Sequence, residues 1–545
     1  VGYTVVPISA DGCLGDPRIV TVTIAPEPVV STSLNATVCS DQVTGLVLNT
    51  NGLSVAASNY NITASTVSPG LVAAGGNAVV PATGVAAGYL SNDRFNNVGP
   101  LPLTVTYTVV PVSAAGCVGS PQVITMTINP EPVVATTLNA GVCSDLPIGL
   151  VLNTNGTSVG AANYNVTAIS VGAGLVAAGT NAAIPALGVN ANYVANDVFT
   201  NTTNAAITVN YTIVAISAAG CVSDPQVVTI TIAPEPVVST TLDKSVCSDL
   251  PIALTLNTNG TSIGAADYNI INQTIAAGLT PGGANAVVPA NGVAAAYLAS
   301  NVFTNNTNGP LTVTYTVVPR SAGNCFGNSR LITVTINPEP VLSPALDRTA
   351  CSDVNIGLVL NTNGTSVAAG SYNIVTRTIA PGLTANAGNV VVPASNVAAN
   401  YLSADQFTNT GNLPLAVTYQ VVPVSAAGCL GDAVTVTVTI DPEPVVANGL
   451  DRTECSDLPI GLTLNTNGTS VAAATYNITS ITVAGGLTAN AGNVAVPATG
   501  VAANYLAGHI FTNTTSGSLT VTYIVVPVSG AGCAGDPKTI TVTID

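Results

Sequence analysis

Eleven cysteines are the residues best placed for covalent chemistry in this 545-residue chain. They stand at Cys13, Cys39, Cys117, Cys143, Cys221, Cys247, Cys325, Cys351, Cys429, Cys455 and Cys533, and the gaps alternate 26 and 78 throughout. Cysteines at strict spacing predict disulfides formed in an oxidising compartment. The C-x-x-C spacing of zinc sites and thioredoxin motifs is absent.

Other chemistry is sparse. His509 is the sole histidine, so no Ser-His-Asp or Cys-His arrangement can recur, and it reads as an exposed loop residue. Lys244 and Lys538 are the only lysines. No catalytic residue, cofactor or metal site is assigned, and the chain reads as no enzyme. Acids do recur: Glu27, Glu131, Glu235, Glu339 and Glu443 in Pro-Glu-Pro triplets, and Asp41, Asp145, Asp249, Asp353 and Asp457 after Cys-Ser pairs. Calcium would stiffen such places through clustered oxygens. Each offers few carboxylates and no D-x-D-x-D run, so the glutamates read as solvated charges.

Charged residues make up only 6% of the chain, against about 25% in an ordinary globular domain. The surface must therefore be Thr, Ser, Asn and Gly. Nine basic residues and a net charge of −16 exclude a phosphate-binding face and hence a nucleic-acid partner. No apolar run of membrane-spanning length is free of polar, Pro or Gly breaks.

The elements that position these residues repeat with a period of 104. All sixteen tyrosines fall into three registers, including Tyr107, Tyr211, Tyr315, Tyr419 and Tyr523; Phe95, Phe199, Phe303, Phe407 and Phe511 share a fourth. Aromatics are the largest core pieces, so the same core is built repeatedly. Stiff linkers are expected at Pro130, Glu131 and Pro132; at Pro234, Glu235 and Pro236; at Pro338, Glu339 and Pro340; and at Pro442, Glu443 and Pro444. Cutting there gives repeats 26–129, 130–233, 234–337, 338–441 and 442–545. Residues 1–25 read as the C-terminal strands of a preceding repeat.

Within residues 130–233, a first strand is expected from Val133 to Cys143 and a short second one at Leu150–Leu152. Asn153-Thr-Asn-Gly156 is a turn signal. Its Asn-Gly-Thr triplet recurs at Asn155, Asn259, Asn363 and Asn467; it is also a glycan acceptor pattern, which the turn explains equally well. Ile207, Val209, Tyr211 and Ile213 alternate with Thr208, Asn210 and Thr212, and Val228, Ile230 and Ile232 return against Thr229 and Thr231. That predicts a hairpin with one buried face and one threonine face. Ala-rich stretches such as Gly84–Leu90 are candidates for a helical turn. About seven short strands per repeat predict an all-β linear array of antiparallel β-sandwiches.

The residues VCSDLPIGLVLN at 142–153, FTNTTN at 199–204, LTVTYTVVPVSAAGC at 103–117 and TVTINPEP at 333–340 carry a resemblance. The chain resembles the PKD-like, immunoglobulin-like repeats of large Bacteroidetes surface adhesins and extracellular filaments. A Cys-x-Gly turn recurs at Cys13, Cys117, Cys325, Cys429 and Cys533, with Ser223 replacing the glycine after Cys221. The resemblance implies an exported, cell-surface or extracellular protein.

Ten cysteines are the candidate disulfide residues: Cys39, Cys117, Cys143, Cys221, Cys247, Cys325, Cys351, Cys429, Cys455 and Cys533. Pairing within a repeat joins Cys39 to Cys117. Pairing across a linker joins Cys13 to Cys39. A third scheme joins one repeat to the next repeat's hairpin, as in Cys39–Cys221. Self-contained domains favour the first; an immunoglobulin strand order, which puts first turn and last hairpin at opposite poles, favours the second.

These readings converge on a structural stalk or fibre of disulfide-stapled repeats. Its partners are neighbouring repeats, with identical chains in a filament and surface glycans as further partners. A glycan- or surface-binding adhesin, or a subunit of a laterally assembled filament, is the alternative.

Overall fold

In the computed structural model, which describes residues 1–545, the alternating stretch Ile207–Ile213 pairs antiparallel with Gln226–Ile232. Val209, Tyr211, Ile213, Val228, Ile230 and Ile232 are at most 1% exposed. Thr208 is exposed and Asn210, Thr212, Thr229 and Thr231 are half-buried, so the two-residue period sets the buried face as expected. Each such apolar side chain contributes roughly 1.5–3 kcal/mol on burial.

The sheet grows outward from this hairpin. Its order is Ala140–Cys143, Gln226–Ala233, Ile207–Ser217, Ala161–Val171, Ala186–Val189. The first pair is parallel and the rest are antiparallel. A small second layer pairs Val176–Ala177 with Phe199–Thr200. Tyr164, Val166, Phe199, Tyr211 and Ile230 belong to one core with Leu150 and Leu152.

Some expected elements differ. The first strand spans only Ala140–Cys143, after a 3₁₀ turn at Thr136–Leu138. Leu150–Leu152 is no strand: both leucines are buried, but the Leu152 N–H bonds singly to Ala191 O at 2.9 Å, an isolated long-range bond rather than part of a ladder. No helix forms at Gly84–Leu90; four-residue turns at Ala86–Tyr89, Gly88–Ser91 and Leu90–Asp93 follow one another. The Asn-Gly turn is as expected. Asn155 Oδ1 accepts the N–H groups of Thr157 and Ser158 at 3.0 and 2.9 Å, and Gly156 takes φ +79°.

The chain forms two compact units. One comprises Val1–Ser239, Asn257–Tyr268 and Val318–Ser329. It holds the five-stranded sheets within 36–129 and 140–233, and the pair Gly2–Val5 with Arg18–Thr21. The other comprises Thr240–Leu256, Asn269–Val317 and Arg330–Asp545. It holds the equivalent sheets within 348–441 and 452–544, and pairs Lys244–Cys247 with Arg330–Asn337.

Four disulfides correct both favoured pairings. They are Cys39–Cys221, Cys143–Cys325, Cys247–Cys429 and Cys351–Cys533, each 182 residues apart. Cys13, Cys117 and Cys455 are free thiols, so Cys117 and Cys455 are not disulfide residues in this chain. The sheet explains why. Cys39 sits opposite Asn129, at the far end of the eight-residue strand Gln122–Asn129. Cys117 precedes the near end of that strand, about 25 Å away at ~3.3 Å per residue. A disulfide needs Cα atoms about 4.4–6.8 Å apart. The hairpin turn of the following repeat instead lies against the exit from this strand, with Cys221 Sγ 4.0 Å from Asn129 O.

Candidate functional site

The recurring chemistry gathers where one repeat of the sequence runs into the next. Four segments meet there: the Cys-Ser-Asp turn, an Asn loop, the Pro-Glu-Pro linker and the loop after the following hairpin cysteine. In the Cys-Ser-Asp turn each residue has a separate task. Cys351 bonds to Cys533. Ser352 Oγ accepts the Asn409 N–H at 2.8 Å. Asp353 takes φ +59°, a left-handed conformation that Asp tolerates, and so turns its carboxylate back toward the linker. Asp41, Asp145, Asp249 and Asp457 share that conformation.

The asparagine fixes the linker. Asn409 is fully buried and its Nδ2 donates to Leu413 O and Ile440 O at 3.0 and 2.9 Å. Its backbone carbonyl accepts the Glu443 N–H at 3.0 Å. Asn97, Asn201 and Asn305 hold Glu131, Glu235 and Glu339 in the same way at 3.0–3.1 Å. The hairpin loop then packs onto the linker so closely that a Cβ on Gly535 would lie 1.9 Å from Pro444 O. Gly431 meets Pro340 O equally closely, and Gly327 meets Pro236 O at 1.8 Å, which gives the Cys-x-Gly pattern its physical reason.

This packing overturns the solvated reading of four linker acids. Glu131, Glu235, Glu339 and Glu443 are 2–5% exposed; only Glu27 is exposed. Burial pushes the Glu443 carboxyl up to about 7, and the neighbouring Asp353 and Asp536 push in the same direction. Glu339 rises to about 7 through burial, Asp249 and Asp432. Glu131 does so through burial, Asp41 and Asp224, and Glu235 through burial and Asp145.

The four junctions are not chemically equal. In the first unit, Asn96 Nδ2 donates to Asp41 Oδ2 at 2.7 Å and to Glu131 Oε1 at 3.2 Å. Asn328 Nδ2 reaches Asp145 Oδ2 at 3.2 Å and Glu235 Oε1 at 3.5 Å. In the second unit, the residues at the position of Asn96 are Thr304 and Thr408, whose hydroxyls donate to Asp249 and Asp353. The position of Asn328 is held there by Asp432 and Asp536.

His509 is a further correction. It is 2% exposed, and its Nδ1 lies 2.8 Å from the Tyr523 hydroxyl. It occupies a register where buried Asp93, Asp197 and Asp405 accept from Tyr107, Tyr211 and Tyr419 at 2.7–2.9 Å. It is therefore a buried loop residue that serves as a core polar partner for tyrosine, not an exposed one. Burial drives its pKa down, against protonation.

Comparisons with known proteins agree with the repeat. The model of a PKD-like domain matches residues 1–28, 36–132, 176–236, 244–340, 385–444 and 487–545. No curated protein matches the chain. Solved structures that overlap it include human CDH23 EC21-23, at 14% identity over 57% of this chain and 100% of that one, TM-score 0.20. The sialic acid binding region of a Streptococcus sanguinis SK1 adhesin overlaps at 13% identity over 76% of this chain and 98% of that one, TM-score 0.15. Overlaps this slight carry nothing about function. The recurrent family matches, on five copies of one all-β core, carry the assignment: the chain belongs to the PKD-like domain family.

Proposed function

We infer that this chain is the repeat region of a secreted bacterial cell-surface adhesin stalk or extracellular fibre. On this reading each repeat, 26–129 and its four successors, is one domain, and residues 1–25 are the last strands of another. The chain is non-catalytic, and its role is length and mechanical toughness. Its location is extracellular or on the cell surface, since disulfides persist in oxidising surroundings. No helix is long and apolar enough to cross a membrane.

One observation carries the reading. Each disulfide closes a loop of 182 residues, longer than the 104-residue period, so successive loops overlap. Every residue from Cys39 to Cys533 lies inside at least one loop, and no repeat in that span can be drawn out alone. The shortest covalent route runs through Cys39–Cys221, along the chain to Cys247, through Cys247–Cys429, back to Cys351 and out at Cys533. Stretched between its ends, the oxidised chain should therefore extend to roughly a third of the length the reduced chain reaches at about 3.5 Å per residue. Equal extensions in a single-molecule pulling measurement would overturn the stalk reading.

A further inference from the structure

We propose that Asp353, Glu443 and Asp536 form a divalent-cation site of the calcium type, and that Asp249, Glu339 and Asp432 form a second. This goes beyond the structural role above and stands or falls separately from it.

In the first trio, one carboxylate oxygen from each residue lies within 4.8 Å of the others. A cation about 2.4 Å from each oxygen would span that gap. Glu443 is 2% exposed and points between the two aspartates. Ser352 lies against it, and its one hydroxyl is shared between Glu443 and Asp353 Oδ2, the latter at 3.3 Å; no amide reaches Glu443 as Asn96 reaches Glu131 and Asn328 reaches Glu235. No arginine balances the charge: the ion pairs of the chain are Arg320–Asp267, Arg377–Asp405 and Arg452–Glu454. Three carboxylates drawn together, one of them buried and reached by neither an amide nor an arginine, are a costly arrangement unless a cation or a proton joins them. The donor set is all hard oxygen, and the nearby sulfurs are locked in Cys351–Cys533, which selects calcium-like ions over zinc. The disulfide also fixes two of the ligand segments, because Asp353 follows Cys351 by two positions and Asp536 follows Cys533 by three.

The second trio holds the same three sequence positions one period earlier. Asp249, Glu339 and Asp432 line a cavity of about 250 Å³, and Glu339 is 4% exposed. The first unit supplies internal controls. There an amide, Asn96 or Asn328, already donates to both the aspartate and the glutamate.

The test is a calcium titration of the oxidised full-length chain after chelation, by calorimetry and by terbium luminescence. Binding in the range of extracellular modules, about 0.1–1 mM, is expected. Asp536→Asn, which copies the natural Asn328, should weaken one site at least tenfold. Asn328→Asp should add a site, and it serves as the gain-of-function arm if the first variant folds poorly. A flat titration, or Asp536→Asn and Asn328→Asp chains that both bind as the parent does, would overturn the proposal.

Discussion

The junctions of the first unit and those of the second share a backbone, a buried glutamate and a disulfide. They differ in what donates to the glutamate: the amide of Asn96 or Asn328 in the first, and no amide in the second, where those positions carry Thr304 or Thr408 and Asp432 or Asp536. One unit meets the cost of buried charge with amide N–H groups. The other brings no amide to it, a condition that favours a cation. The lesson is that a repeat can keep its mechanical staple constant while single side chains retune the charge beside it.

The strongest way to break this comparison is to cut one staple in each unit. Cys143→Ser with Cys325→Ser, and Cys351→Ser with Cys533→Ser, each open a 182-residue loop. Loop entropy sets the loss at up to about 5 kcal/mol, less where overlapping loops share the constraint. Thermal unfolding should drop in both variants. Calcium affinity should fall roughly tenfold only in the second, because only there does the disulfide hold proposed ligands. An equal effect on calcium would remove the distinction between the units.

A smaller effect concerns pH. In the first unit Glu131 faces Asp41, Asp224 and Asn96, and Glu235 faces Asp145 and Asn328; both glutamates are raised from 4.5 to about 7 in the folded chain. Between those values the folded state holds protons that the unfolded state has released. Stability should therefore be greatest below about 4.5, fall as pH rises to about 7, and level off above it. In chelated protein the melting temperature should be lower at pH 8 than at pH 5, by roughly a few degrees. Glu131→Gln with Glu235→Gln should flatten part of that slope.

Much of the fold was legible in the sequence because it rests on local signals. The alternation at Ile207–Ile213 and the Asn155-Gly156 turn specify their geometry within a few residues. The disulfide pairing was not legible, since spacing does not say which pole a cysteine occupies; the parallel pairing of Ala36–Cys39 with Met126–Asn129 decides that. Burial of Glu443 was hidden too, because Asp353 and Asp536 lie about ninety residues away on either side. A signal did exist. Asp16, Asp224, Asp432 and Asp536 recur three residues after their cysteines, making a third acidic register beside the two already apparent. The burial of His509 was hidden because it is the sole histidine and its equivalent positions carry Asp or Asn; only the facing tyrosines reveal a shared buried task.

The central claim is that staples run from each repeat into the next. A peptide map of the unreduced protein tests it most directly. Cross-linked peptides joining Cys39 to Cys221, Cys143 to Cys325, Cys247 to Cys429 and Cys351 to Cys533 are the predicted result. Recovery of Cys39 joined to Cys117, or of Cys13 joined to Cys39, would contradict it.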